Sequence, residues 1–170
     1  LRSASDGFRN SEQFLLDGDG NGVPGADFVR AFSVAAAPAG VVTIQVPNVA
    51  RGPLQFVNVP AATSTGLPLS FSDGTGITSA NFQLRYNPAL LHITNATIAS
   101  GLPDGAAVVI DTSTPGVALV QFSSPTPLAN GTTHFINLQA QIPATATYLQ
   151  KQVLDITSIS INAGTIPAID

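Results

Sequence analysis

A two-residue alternation, carried by short runs, constrains this chain more than any other feature. Ala80, Phe82, Leu84 and Tyr86 alternate with Asn81, Gln83 and Arg85, which predicts a strand with one buried face. Val42, Ile44 and Val46 alternate with Thr43 and Gln45, and His134, Ile136, Leu138, Ala140 and Ile142 share one parity. Val108–Ile110 and Val117–Val120 are apolar on both parities, which predicts central strands. In the last run the apolar parity switches from Leu154 and Ile156 to Ile159 and Ile161, and a bulge near Thr157-Ser158 would reconcile the two. Turn signals separate the runs: Asp73-Gly74, Asn87-Pro88, Pro103-Asp104-Gly105, Pro115-Gly116, Asn130-Gly131 and Ala163-Gly164. No long helical period competes. The expected fold is an all-β sandwich or jelly roll of about nine strands.

At 170 residues the chain is long enough to bury a real core without staples. It needs none from sulfur, for it has no cysteine, and this excludes disulfides, thiolate metal sites and cysteine nucleophiles. Charged residues make up 9% of the chain against about 25% in an average soluble domain. Polar surface must therefore come from Ser, Thr, Asn and Gln. A Thr/Ser-rich chain with a single lysine suits an extracellular or cell-surface β protein. The net charge is −4 and no basic cluster occurs, so nucleic acid is not an expected partner. No apolar run reaches the ~18 residues of a membrane helix, so no membrane insertion is expected. The initial Leu1 and the absence of methionine read as a stretch processed or excised from a longer chain.

The charge is uneven. Residues 1–30 hold 8 of the 16 formal charges, which suggests two pieces. Residues 1–36 read as a loop plus a short helix at Phe28, Val29, Ala31 and Phe32, followed by a small, Pro-broken linker at 35–40. Residues 37–170 read as the sandwich. The sharpest local signal is Asp17-Gly18-Asp19-Gly20-Asn21-Gly22. Calcium takes six to eight oxygens, and Asp17, Asp19 and Asn21 at alternate positions of a curled loop would aim three side-chain oxygens inward. Val23 could add its carbonyl and Asp27 would close the site. The following Asp-Phe-Val-Arg-Ala-Phe resembles the helix of a dockerin-type calcium repeat over residues 14–32. Asp27 stands at loop position 11, where such repeats place their closing acid at 12.

A second resemblance covers more of the chain. Phe82-Gln83-Leu84-Arg85-Tyr86-Asn87-Pro88-Ala89-Leu90-Leu91 is similar to the strand-and-turn signature of cohesin-like domains. Gly76-Ile77-Thr78 before it, Ile93 to Ile98 after it, Gly131 to Ile142 and Leu154 to Ile161 extend the match to about 43–162. The resemblance implies a nine-stranded jelly-roll sandwich, extracellular, that binds a partner protein. In such a fold Tyr86 ends a core strand, Asn87-Pro88 turns the chain, and Leu90 and Leu91 plug the sandwich end. Its partner-binding surface is a flat sheet face, so Asn81, Gln83 and Arg85 become candidate face residues.

Catalytic constellations are poor. His92 and His134 are the only histidines, His134 is expected in the core or at its rim by parity, and His92 is expected exposed. There is no Gly-x-Ser-x-Gly elbow and only one glutamate, so neither a hydrolase triad nor a Glu/Glu glycosidase pair is signalled. Asn95-Ala96-Thr97 and Asn130-Gly131-Thr132 match the glycosylation sequon. The leading expectation is a non-catalytic adhesion, scaffolding or protein-docking module, stabilised by calcium. One alternative is a filament subunit in which residues 41–49 complete the sheet of a neighbouring copy. Another is a carbohydrate-binding accessory domain of a secreted enzyme, which the absence of tryptophan platforms supports only weakly.

Overall fold

The computed structural model describes residues 2–4, 6–31 and 40–169. The chain divides into two compact units, Leu1–Ala37 and Pro38–Asp170. Phe32 and all of the expected linker but Gly40 lie outside the described residues.

The second unit holds nine strands: β1 Val42–Gln45, β2 Leu67–Phe71, β3 Ser79–Arg85, β4 His92–Ile98, β5 Ala107–Asp111, β6 Val117–Ser123, β7 Thr133–Gln141, β8 Asp155–Ile161 and β9 Ala168–Ile169. They form a five-stranded sheet in the order β4-β7-β2-β1-β9 and a four-stranded sheet in the order β5-β6-β3-β8. All pairings are antiparallel except β1 with β9. The one helical element among the described residues is a 3₁₀ turn at Asn162–Gly164.

The core between the sheets follows from the alternation. Ala80, Phe82 and Leu84 of β3 face Leu67, Leu69 and Phe71 of β2 across the sandwich, all nearly inaccessible to solvent. Four phenylalanines tie the layers together. Phe71 and Phe135, from the five-stranded sheet, stack with ring centroids 3.9 Å apart. Phe122 and Phe82, from the other sheet, meet Phe135 edge-on at 5.4 and 6.2 Å. Such pairs contribute about 0.5–1.5 kcal/mol each beyond the area they bury.

Bulges explain where parity arguments succeed and fail. In β8 the register against β3 slips between Asn81 and Gln83, and Ser158 takes the left-handed φ of 54°. Ile156 and Ile161 therefore both point into the core, as the parity switch required. In β7 the register against β2 slips between Leu69 and Ser70, so that Phe135 and Ile136 are both buried. This corrects the expectation for His134. The extra residue turns it outward, where its Nε2 lies 3.1 Å from the Ile136 carbonyl and from Asn137 Oδ1. His92, at the start of β4, is exposed as expected.

One further expectation is corrected. Val108–Ile110 was to be central; β5 is instead an edge strand, and Val109 is 62% exposed. β6 is internal to its sheet, but Leu119 is 44% exposed because that sheet is covered on one side only. Within the segment 41–49 offered for strand addition, residues 42–45 pair with β2 and β9 of their own sheet. The turn after β3 behaves as read. The Asn87 carbonyl accepts the Leu90 and Leu91 N–H groups, Asn87 Oδ1 caps Ala89, Tyr86 packs against the core and Leu91 is buried.

In the first unit the expected helix is absent from residues 26–31. The reason is local. The Gly18 N–H donates to the Ala26 carbonyl and the Gly25 N–H to the Leu16 carbonyl, which holds the exit of the loop against its entrance. The backbone at Phe28 and Asp27 then passes so close to Gly18 that a β-carbon there would lie 2.1 Å from the Phe28 nitrogen.

Candidate docking face and calcium-type loop

The outer face of the four-stranded sheet is an organised surface of the sandwich. Its rows are set by register. Val109, Gln121, Asn81 and Ser160 form one row, and Asp111, Leu119, Gln83 and Thr157 the next. Val117, Arg85 and Asp155 follow. Side-chain contacts cross the face: Arg85 Nε donates to Gln83 Oε1 at 2.9 Å, and Thr157 Oγ1 donates to the same oxygen at 3.4 Å. The face therefore presents two exposed aliphatic side chains, Val109 and Leu119, among uncharged amides and hydroxyls, with charges at its margins. Asn81, Gln83 and Arg85 sit where the sequence placed them. Val109 and Leu119 were missed as surface residues. Their signal was present: in a two-layer sandwich, an apolar residue on the second parity cannot be buried within the domain, so it marks a surface that something else can cover.

The loop Asp17–Gly25 forms a nest of backbone N–H groups around one carboxylate. Asp17 Oδ1 accepts the Gly20 and Asn21 N–H groups at 2.9 and 3.1 Å, and Oδ2 accepts Gly22 N–H at 2.8 Å. The Gly22 bond above all holds the Asp17 carboxyl below its ordinary value. Asp19 Oδ2 accepts Asn21 Nδ2 at 2.9 Å, and Asn21 Oδ1 accepts the Val23 N–H at 2.7 Å. Asp17, Asp19 and Asn21 are thus brought together. Asp27 is directed elsewhere: its Oδ1 accepts the Ser3 N–H at 2.6 Å, while Ser3 Oγ donates to the Leu16 carbonyl. No group of three acidic or imidazole side chains gathers among the described residues. Of the sequon asparagines, Asn95 is exposed on β4 and Asn130 is exposed in the loop before β7. No helix among the described residues is long and apolar enough to cross a membrane.

Comparison with known proteins agrees with this architecture. The cohesin domain family matches residues 57–166. Among solved structures, the chain is similar to the cohesin CaCohA2 of Clostridium acetobutylicum, with 16% identity, a TM-score of 0.61, and coverage of 75% of this chain and 84% of that one. A type I cohesin–dockerin complex from Clostridium thermocellum matches with 14% identity and a TM-score of 0.59, over 81% of this chain and 93% of that one. A non-cellulosomal cohesin of the archaeon Archaeoglobus fulgidus matches with 13% identity and a TM-score of 0.54, over 76% and 83% of the two chains. At these identities the likeness shows the fold. No curated protein matches the sequence.

Proposed function

The chain belongs to the cohesin domain family, and from that premise we propose that it captures a dockerin-type partner module on the outer face of its four-stranded sheet. The domain is a non-catalytic scaffolding module, so its work is recognition. The observation that carries the reading is the exposure of Val109 and Leu119 on one face, beside the polar side chains of Gln121, Asn81 and Gln83 and with Asp111, Arg85 and Asp155 at its rim. The two aliphatic side chains supply the apolar centre that interfaces depend on, and the charged side chains around them can stay at a solvated polar rim. Solved relatives include cohesin–dockerin complexes, which supports a partner of that kind. A secreted or cell-surface setting goes with the same reading and with the charge-poor, Thr/Ser-rich surface.

Calcium belongs to the proposal as well. Asp17, Asp19 and Asn21 offer oxygen donors of the hardness calcium takes, and Val23 can add a carbonyl. Asp27 would complete the set only by giving up Ser3.

The test is Leu119→Asp, assayed by titration calorimetry against the dockerin modules of the source organism. The residue is outward-facing, so the melting temperature should hold, while a buried carboxylate in the interface should weaken binding at least about tenfold. Full affinity in the variant would place the docking surface elsewhere.

A further inference from the structure

One end of the sandwich carries a groove of about 730 Å³ between residues 46–53 and 146–154, floored by Leu67, Leu90 and Leu91. None of its lining residues is an outward position of the four-stranded sheet. Three features of its walls converge on one occupant. Large apolar side chains stand open on it: Tyr148 is 72% exposed, Val153 83% and Leu149 97%. Among the described residues, 47–51 and 147–153 belong to no strand and make no backbone–backbone hydrogen bond, and of their carbonyls Ala50's accepts from Arg51, so most main-chain groups along both walls have no backbone partner there. The charges are of one sign. Arg51 and Lys151 line the groove and no acid does. Neither cation is ion-paired, since the one salt bridge among the described residues joins Arg2 and Asp6. The Arg51 guanidinium is fixed in place by the Ala50 and Asn58 carbonyls, which leaves further N–H donors for an anion.

We propose that this groove binds an extended peptide segment whose apolar side chains alternate with carboxylates. The main chain of such a segment would pair with wall groups that have no backbone partner among the described residues, as in strand addition. Its apolar side chains would cover Tyr148, Leu149 and Val153, and its carboxylates would meet Arg51 and Lys151. A neutral apolar ligand would use only part of this, and a basic peptide would meet like charge. The site is independent of the dockerin reading, because the two surfaces share no residue.

The test uses the full chain and a set of blocked hexapeptides that alternate Val or Leu with Asp, Glu or Thr. Saturable binding is expected, with amide shifts at Val49, Leu149, Lys151 and Val153 in NMR titrations. Lys151→Glu, on an exposed position, should weaken binding about fivefold. Val153→Asp should remove it, and Leu119→Asp on the distant face should leave it unchanged. The proposal is overturned by no saturable binding up to about 1 mM. It is equally overturned by shifts confined to other surfaces, by equal binding of peptides with lysine in the acidic positions, or by indifference to both groove variants. Self-association of the chain through these residues would also overturn it, because the occupant would then be a second copy.

Discussion

Replacing Asn162 by alanine probes how the neighbouring strands β3 and β8 are tied together. Asn162 follows β8 with a left-handed φ of 47°. Its Oδ1 accepts the N–H groups of Thr78 and Ser79 at 2.8 and 3.0 Å and the Thr78 hydroxyl at 3.2 Å, and its Nδ2 donates to the Gly76 carbonyl at 2.8 Å. One side chain thereby fixes the entry of β3 to the exit of β8, across 84 residues of sequence. Alanine removes all four bonds and forces a β-carbon into the left-handed region without the local hydrogen bonding that lets asparagine tolerate it. Thr78 and Ser79 are half-buried, so water repairs part of the loss. Hydrogen bonds worth about 0.5–1.5 kcal/mol each, not fully additive, plus about 1 kcal/mol of backbone cost, come to roughly 3 kcal/mol. For a unit of this size that is a fall in Tm of about 10 °C. Asn162→Gly separates the contributions, since it loses the bonds and not the conformation, and should cost about 2 kcal/mol. Urea unfolding of the parent and both variants, followed by near-ultraviolet circular dichroism, measures all three. An alanine variant within about 0.5 kcal/mol of the parent would refute the bracket. Equal costs for alanine and glycine would refute the strain component alone.

Acid should weaken the sandwich through Asp73, whose carboxyl the Thr75 hydroxyl, then the Thr75 and Gly131 N–H groups, hold below its ordinary value. A depressed folded pKa means that the contribution is fully present above the unfolded value of about 3.9 and is lost as pH falls below it towards the folded pKa. Melting curves from pH 6 downward should therefore steepen in their loss near pH 4, and Asp73→Asn should flatten that limb; an unchanged limb would remove Asp73 from the account. Calcium bound only to the folded form raises its stability by RT ln(1 + [L]/Kd). Chelator should then lower the unfolding temperature of the N-terminal unit in the parent and not in Asp17→Asn, and a chelator-insensitive parent would end the calcium reading.

Much of the sandwich was readable because its information is local. A two-residue period survives any tertiary arrangement that keeps one face buried, so β1, β3 and β7 announced themselves. The Asn87-Pro88 turn did so because capping by a side-chain oxygen needs only neighbours in sequence. The switch of parity in β8 even located its bulge, since an uninterrupted strand cannot point Ile156 and Ile161 the same way. The loop at Asp17 was legible for the same reason: its bonds span five residues or fewer.

What the sequence could not decide depends on partners far away in the chain. His134 and Ile136 share a parity, and only the slip of β7 against Leu69 and Ser70 sends one outward and the other in. The segment after the calcium-type loop is the exception, for there a nearby contact decided: the Gly18 N–H bonds the Ala26 carbonyl, and residues 26–31 form no helix. Val109 and Leu119 read as core because apolarity reports a preference for leaving water and not the place where that preference is met. Strand order settled the place, with β5 at an edge and one side of its sheet uncovered. From its residues alone this chain was committed to alternating strands, tight turns and a self-capped acidic loop. Tertiary structure then chose which apolar side chains would find partners inside the domain and which would be left on a face or in a groove for a partner to cover, because burial is a property of the assembled layers and not of any strand by itself.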